Sequence, residues 1–258
     1  MSGQVLGIVP ARLGSTRIPS KPLYPLLGRP LIEWVWRRIE AMSVLDHAVV
    51  ATDSDEVATV CRALGAPVVM TSPDHVSGTD RVAEVADRAE YREFEYIANV
   101  QGDYPLLEES HLGSAIDLVR EHGWQVGTCA TPILTNEARS SVSVVKVVKA
   151  ESGRAMYFSR AAIPHKRDDK PTQHDLERTP FLRHLGIYTY TREALHEWVA
   201  LPPSQLEQLE WLEQLRPLEA GLSIGVAVVD SADLAVDTPA DVVRMEERLN
   251  EQRSTTFA

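Results

Sequence analysis

The stretch Ile8-Val9-Pro10-Ala11-Arg12-Leu13-Gly14-Ser15-Thr16-Arg17-Ile18-Pro19-Ser20-Lys21-Pro22 decides the fold. It follows the apolar run Val5–Val9, which reads as a buried strand, and precedes a helical pattern that starts near Pro30. Within this stretch, the chain places Arg12, Arg17, Lys21 and Gly14 on a single loop with Pro19 and Pro22. In an open α/β sheet, the loop leaving the first strand is where ligands bind. Three cations there point to a polyanion, most simply a nucleoside triphosphate, although a basic surface loop is the plainer alternative.

Working outward, strand and helix signals alternate, the pattern of a parallel sheet covered by helices. Leu31–Met42 has helical spacing with Ile32, Val35, Trp36 and Ile39 on one side. Ala48–Ala51 reads as a second strand, and Asp55–Leu64 as a helix capped by Ser54 or Asp53 and stopped by Gly65. Pro67–Met70, a helix over Thr79–Ala89 and the strand Tyr96–Val100 follow. After a helix over Ser110–His122 the pattern changes. Thr128–Ile133 and Val142–Lys149 are strand-like with no clear helix between them, and Pro164–Pro180 reads as an exposed loop. Leu185–Tyr190 returns to strand, Gln205–Leu218 is strongly helical and Ile224–Val229 is a last strand. A terminal helix opens at Pro239 and runs to about Glu251. The division expected is one domain over 1–252, with a nucleotide-binding part (about 1–125), an acceptor and dimerisation part (about 126–222) and a return to the core (about 223–252), then a flexible tail over 253–258.

The bulk numbers restrict the function. A chain of 258 residues, 44% hydrophobic and 24% charged, has the composition of a soluble globular protein. Its net charge of -11 argues against general nucleic-acid binding. Against that acidic background the clustered cations stand out. No segment reads as a membrane span or a secretory signal, so a cytoplasmic location is expected. Cys61 and Cys129 are far apart and read as small buried hydrophobes.

Asp103 follows the fourth strand and Asp237 the last, so both carboxylates belong at strand carboxyl ends, where groups of a parallel sheet converge. With a triphosphate they offer a hard cation its oxygen ligands, as Mg²⁺ requires. Taken singly, Asp103 is also a turn residue before Pro105, and Asp237 an N-cap before Thr238-Pro239. His75, Ser77, Gly78, Thr79, Asp80 and Arg81 join a strand to a helix, where backbone N–H groups suit an anion or a base edge and glycine permits close approach. The same residues are also a plain capping sequence. In the second half Arg160, Arg183, His184 and Tyr188 bracket the exposed loop, and Glu207, Glu210, Glu213 and Gln214 lie on the following helix. Arginine for a carboxylate and Glu or Gln for hydroxyls would hold a polyhydroxy acid, while a solvated acidic face is the alternative.

Nine motifs, in order, carry a resemblance: Pro10-Ala11-Arg12 with Arg17 to Pro22, Ala51-Thr52-Asp53, Met70-Thr71, His75 to Arg81, Asn99-Val100-Gln101-Gly102-Asp103, Tyr157-Phe158-Ser159-Arg160, His184 to Tyr188, Leu212 to Arg216 and Val236-Asp237-Thr238-Pro239. Their order and spacing resemble the 3-deoxy-manno-octulosonate cytidylyltransferase (CMP-KDO synthetase) family from about residue 5 to residue 250. The resemblance implies an α/β, glycosyltransferase-A-like nucleotidyltransferase fold, with a mostly parallel sheet flanked by helices and a β-rich insertion for dimerisation. It implies a homodimer that uses CTP and Mg²⁺ and transfers CMP to a sugar acid. By position, Ala11, Arg12, Arg17, Lys21 and Asp103 correspond to the CTP-binding set, together with His75, Ser77, Gly78, Thr79 and Arg81. Asp103 and Asp237 correspond to the magnesium ligands, and Arg12, Lys21, Asp103 and Asp237 to the catalytic set. Gln101, Tyr104, Arg160, His184, Tyr188, Glu213 and Gln214 correspond to the acid-acceptor set.

Two departures stand out. Tyr104 takes the place of the family's usual Glu, and Ser20 that of its usual Gly. The lost carboxylate, with 21 Arg against 5 Lys among the 26 basic residues, raises a phosphonate acid such as phosphonoformate as an alternative acceptor. A nucleotide-sugar binder that transfers nothing is a further alternative.

Overall fold

The computed structural model describes residues 3–14, 17–167, 170–178, 181–232 and 235–256, with side chains up to residue 252. Ser15 and Thr16 of the cationic loop lie outside the described residues, as do Ala258 and Phe257 of the tail. The chain forms two compact units.

One unit comprises Leu6–Arg92, Asn99–Glu109 and Asp233–Ala258. Its strands β1 (Val5–Pro10), β4 (His47–Thr52) and β5 (Val68–Met70) run parallel in the order β1-β4-β5, with Ile8 opposite Val49 and Val50 opposite Val68. A two-residue-wide ribbon, β2 (Pro25–Leu26) and β3 (Arg29–Pro30), precedes the first helix. That helix, α1 (Leu31–Glu40), buries Leu31, Ile32, Val35, Trp36 and Ile39, the stripe expected from the spacing. Ser54 caps α2 (Asp55–Ala63), its hydroxyl accepting from Val57 N at 3.3 Å, and Gly65 follows at φ 81°. α3 (Gly78–Ala86) starts at a capping box in which Ser77 and Asp80 satisfy each other's backbone N–H groups.

A hydrophobic cluster of Ile18, Leu26, Leu31, Leu106, Val236, Val242, Met245 and Leu249 ties this unit together. Ile18 lies in the cationic loop, Leu106 just beyond Asp103, and Val236 just before Asp237. Three segments distant in sequence are therefore anchored by one apolar core, which orders the polar residues they carry.

The other unit comprises Met1–Val5, Glu93–Ala98 and Ser110–Ala232. Its elements are β6 (Tyr96–Asn99), α4 (Glu109–Arg120), β7 (Val126–Pro132), α5 (Asn136–Ser140), β8 (Lys146–Lys149), β9 (Ala155–Ser159), α6 (Gln173–Arg178), β10 (Leu182–Thr191), α7 (Arg192–Ala200), α8 (Gln205–Glu210), α9 (Leu215–Ala220) and β11 (Ile224–Val228). The strands run in the order β11-β7-β10-β6, with β8 on β10 and β9 on β8. β11 is parallel to β7, and β10 is antiparallel to β7 with an irregularity between Leu185 and Tyr188.

Several sequence expectations change. Gln205–Leu218 is two short helices, because Trp211 turns left-handed (φ 55°) and Pro217 lacks the N–H that a continuing helix needs. The loop after Pro164 contains α6, whose Leu176 is buried with Ile133 and Phe181. β9 and the short α5 lie where no element was expected. The C-terminal helix runs from Pro239 to Thr256, so residues 253–256 continue a helix instead of a flexible tail. Cys61 and Cys129 are buried and free, and burial pushes their thiols up to about 11 and about 12.

Candidate active site

The loop after β1 starts from Ala11, which is buried and donates its N–H to Ala51 O at 2.8 Å. Ile18 is buried, and Ser20 then takes a left-handed conformation (φ 49°, ψ 42°) that starts a single 3₁₀ turn over Lys21–Leu23. This turn aims Lys21 inward, while Arg12 and Arg17 stay exposed.

Asp103 sits on the second segment. At the preceding Gly102 a Cβ would lie 3.0 Å from Pro10 O, so the absence of a side chain lets this turn sit against the end of β1. The Asp103 carbonyl accepts from Val236 N at 2.9 Å, joining the second segment to the third. There Asp241 accepts from Asp237 N at 3.3 Å and from Thr238 N and Oγ1 at 2.8 Å each. Thr238 in turn caps the Asp241 N–H at 3.3 Å. The cap of the C-terminal helix is thus Thr238, and the Asp237 carboxylate is left for the cations.

Lys21 Nζ lies 2.6 Å from Asp103 Oδ2 and 2.9 Å from Asp237 Oδ1. Arg17 Nη2 is 3.3 Å from the same Asp237 oxygen. The side chains of Lys21 and Asp103 are 16% and 21% exposed, against 41% for Asp237, so the pair is largely withdrawn from water. Burial would lower the Lys21 pKa, but the charges of Asp103 and Asp237 outweigh it and hold the ammonium above its usual value. Burial, with the neighbouring Asp237 charge, raises Asp103 despite Lys21. Among the described residues Asp103 Oδ1 is buried without a hydrogen-bond partner. An unsatisfied carboxylate oxygen beside a second carboxylate fits a hard cation. Among the described residues no group of three His, Cys, Asp or Glu side chains gathers, so the remaining ligands of a cation on Asp103 and Asp237 would come from substrate and water.

The His75–Arg81 segment is drawn together at the start of α3, but its side chains are occupied. His75 Nε2 is 2.6 Å from Glu84 Oε2, and Ser77 belongs to the capping box. Thr79 is fully buried. Arg81 is 2% exposed and bridges Thr71 Oγ1 and Asp53 Oδ2, so it braces the ends of β4 and β5. A Cβ at Gly78 would meet Pro10 only at 3.5 Å, so the chain itself does not require glycine there. Gln101 and Tyr104 are half-buried on either side of Gly102-Asp103.

In the other unit His184 is buried, its Nε2 2.9 Å from Thr128 Oγ1 and its ring packed on Phe158 and Tyr188. Burial lowers its pKa to about 3, so the imidazole is neutral near pH 7. Tyr188 is buried against Tyr190 and Trp198. Gln214 is buried at the start of α9, and Glu213 lies in the turn before it. The expected acidic face does not form. Glu207 is paired bidentately with Arg216 at 2.7 and 2.6 Å, and Glu210 turns to Ser159 and Arg160. Arg183 reaches Ala232 O.

Sequence reading overlooked Lys146. This lysine is fully buried, and all three of its hydrogen bonds go to the carbonyls of Ser141, Val144 and Arg160. Burial, with Arg160 nearby, lowers its pKa to about 8. In Val145-Lys146-Val147-Val148-Lys149 no local signal separates it from Lys149.

The family model described as Cytidylyltransferase matches residues 6–224. The 3-deoxy-manno-octulosonate cytidylyltransferase of Gemmatimonas aurantiaca is 48% identical over 241 residues, covering 93% of this chain and 92% of that protein. That of Leptospira biflexa is 42% identical over 243 residues, covering 94% and 95%. The solved structure of CMP:2-keto-3-deoxy-manno-octonic acid synthetase complexed with CTP superposes with a TM-score of 0.87 at 34% identity, over 96% of this chain and 99% of that one. A 4-diphosphocytidyl-2C-methyl-D-erythritol synthase, 14% identical with a TM-score of 0.63, shares the fold. With its parallel strands, its flanking helices and relatives aligned along nearly their whole length, the chain belongs to the cytidylyltransferase family, among the 3-deoxy-manno-octulosonate cytidylyltransferases.

Proposed function

We propose that this chain transfers CMP from CTP to 3-deoxy-manno-octulosonate (KDO), releasing pyrophosphate. The observation that carries the reading is the cluster of Lys21, Asp103 and Asp237, in which one ammonium lies 2.6 and 2.9 Å from two carboxylates. Arg12 and Arg17, exposed on the loop after β1, bind the outer phosphates of CTP, and Lys21 orients the phosphate next to the reacting one. Ala11 and the segment of His75, Ser77, Gly78, Thr79 and Arg81 shape the cytidine pocket. Gln101, Tyr104, Arg160, His184, Tyr188, Glu213 and Gln214 serve the acid acceptor. His184, neutral and fixed by Thr128, acts there as a rigid wall or hydrogen-bonding group and carries no charge.

The reaction asks the protein mainly for positioning and charge neutralisation. The acceptor hydroxyl oxygen bonds to the α-phosphorus, the bond from that phosphorus to the bridging oxygen breaks, pyrophosphate departs with that oxygen and the hydroxyl proton is released. Lys21 and the loop arginines hold the leaving pyrophosphate and stabilise the charge that develops on it. Asp103 and Asp237 are the residues that would hold Mg²⁺, which when bound supplies Lewis-acid charge neutralisation to phosphate oxygens.

Among the described residues no helix is long and apolar enough to cross a membrane, which agrees with work in the cytoplasm, where CTP is available. A homodimer built through the second-half strands is in keeping with the exposed Val142, Met156, Leu209 and Trp211. The relatives named above carry the sugar-acid name, so the phosphonate alternative raised by Tyr104 is not favoured.

The test measures pyrophosphate release from CTP with KDO, its amino analogue, sialic acid and phosphonoformate. Release is expected with KDO, and Asp103→Ala and Asp237→Ala should each lower kcat by at least about a thousandfold while the fold persists. Near-normal turnover in either variant sinks the assignment of these carboxylates. Release with phosphonoformate alone reinstates that acceptor, and release with none leaves a nucleotide binder.

A further inference from the structure

The side chain of Arg160 is tied down by three main-chain carbonyls. Its Nε donates to Glu210 O at 2.9 Å, Nη1 to Val142 O at 3.1 Å and Nη2 to Trp211 O at 3.3 Å. Among the described residues two guanidinium hydrogens are left for a ligand, the number a bidentate carboxylate takes up. The direction of those two hydrogens depends on where the backbone of Arg160 and the three carbonyls are held. Glu210 fixes the backbone from one side, since its carboxylate accepts from Arg160 N at 2.9 Å and from Ser159 Oγ. Lys146 fixes it from the other side, donating to Arg160 O and, through the same ammonium, to Ser141 O and Val144 O, which flank Val142 in the loop that receives Nη1. The lysine is fully buried in β8, where it lies opposite Ser159 of β9. Loop 141–144 and the α8–α9 turn are thus both hydrogen-bonded to Arg160.

We infer that Lys146 and Glu210 are positioning residues for the acid acceptor, acting through Arg160 by fixing the direction of its two remaining N–H groups. The inference rests on the acceptor role proposed for Arg160. A buried ammonium bonded only to neutral carbonyls is a costly way to join two strands, because an apolar pair would do so without desolvating a charge. It is well suited to gathering three carbonyls at one point. Removing it takes one donor from each of three carbonyls, and the loop and the arginine then shift together.

The experiment measures KM for CTP and for KDO separately in Lys146→Met, Lys146→Arg, Glu210→Gln, Arg160→Ala and the double variant Arg160→Ala/Lys146→Met. Lys146→Met should raise KM for KDO by about tenfold or more with KM for CTP within about twofold, at a guanidinium displacement of the order of an ångström. Glu210→Gln should move the same constant less, and Lys146→Arg should restore most of it. The double variant should match Arg160→Ala, because a residue acting through Arg160 has nothing to act on once that side chain is gone. The inference falls if both KM values rise together, if the effects of the two substitutions multiply, or if melting temperature drops with KM for KDO unchanged. Should Lys146→Met fail to fold, Glu210→Gln decides alone, and an unchanged KM for KDO overturns the inference. A wild-type enzyme that uses no acid overturns the acceptor reading and this inference with it, whereas an active wild type with indifferent variants overturns this inference only.

Discussion

Lys21 illustrates how a side chain's type can be legible in the sequence while its contacts are not. Its position on a cationic loop announces a phosphate ligand, yet its contacts are carboxylates 82 and 216 positions away in sequence. No local pattern encodes such a distance. The rule that groups at strand ends converge did so indirectly, by bringing Asp103 and Asp237 to one crevice. His184 shows the converse, a residue whose type suggests titration near neutrality and whose burial forbids it. Its folded pKa of about 3 lies below the ordinary 6.5, so between those values the unfolded chain binds a proton that the native protein does not. Stability is therefore lost as the pH falls below 6.5. Each unit is worth about 1.4 kcal/mol, which makes the loss at pH 5 about 2 kcal/mol. Urea midpoints of wild type and His184→Gln measured from pH 7.5 to pH 5 should converge as the medium is acidified. Parallel curves would show that His184 titrates normally in the native state.

At the scale of elements, periodicity was reliable where a helix or strand has one buried face and failed where another constraint intervened. α1 follows its apolar stripe closely, whereas α6 was hidden in a polar segment although Thr172 and Asp175 form a capping pair, with Asp175 N donating to Thr172 Oγ1 at 3.2 Å. The interruption of the helix after Ser204 is hidden for a different reason. Its acidic residues have helical spacing, but Pro217 can sit only in a first turn, so a new helix begins at Leu215. Close packing, too, leaves little trace in composition. Gly127 on β7 lies against α4, and a Cβ there would fall 2.1 Å from Ala115 O and 3.1 Å from Leu118 Cβ. Neither the strand nor the helix backbone can yield that distance without a shift. Gly127→Ala should therefore cost about 3 kcal/mol, the upper range for overpacking. Gly78→Ala, whose new Cβ meets Pro10 at an ordinary 3.5 Å, should stay within about 1 kcal/mol of wild type. Calorimetric or urea unfolding of the two variants checks the contrast, and similar losses in both would refute the close approach of β7 and α4.

For the molecule as a whole, the site depends on packing that lies well away from it. Ile18, Leu106 and Val236 belong to one apolar cluster with the C-terminal helix, and each stands within a few residues of Lys21, Asp103 or Asp237. The residue types and their order along the chain are legible, because the cations and carboxylates proposed for phosphate and metal stand just beyond strands in the sequence pattern. The anchoring is not, because an isolated Ile, Leu or Val in a loop looks the same whether it is buried or exposed. The coupling of site to core has a consequence for stability. A ligand that binds the three segments binds only the folded chain, so CTP with Mg²⁺ at a hundred times its Kd should add about 2.7 kcal/mol. For a chain of 258 residues, at roughly 2–4 °C per kcal/mol, this raises Tm by about 5–10 °C. Chelation of the metal should remove much of the gain, since Asp103 and Asp237 would then face the triphosphate without the cation that offsets their charge. In Asp237→Ala the metal-dependent part should vanish while a smaller CTP-dependent shift persists through Arg12, Arg17 and Lys21. Thermal melts with CTP, UTP and GTP, each with Mg²⁺ or with chelator, separate these terms. A shift equal for all three nucleotides, or one indifferent to chelation in the wild type, would mean that the cradle recognises phosphate alone and that the two carboxylates hold Lys21 instead of a metal.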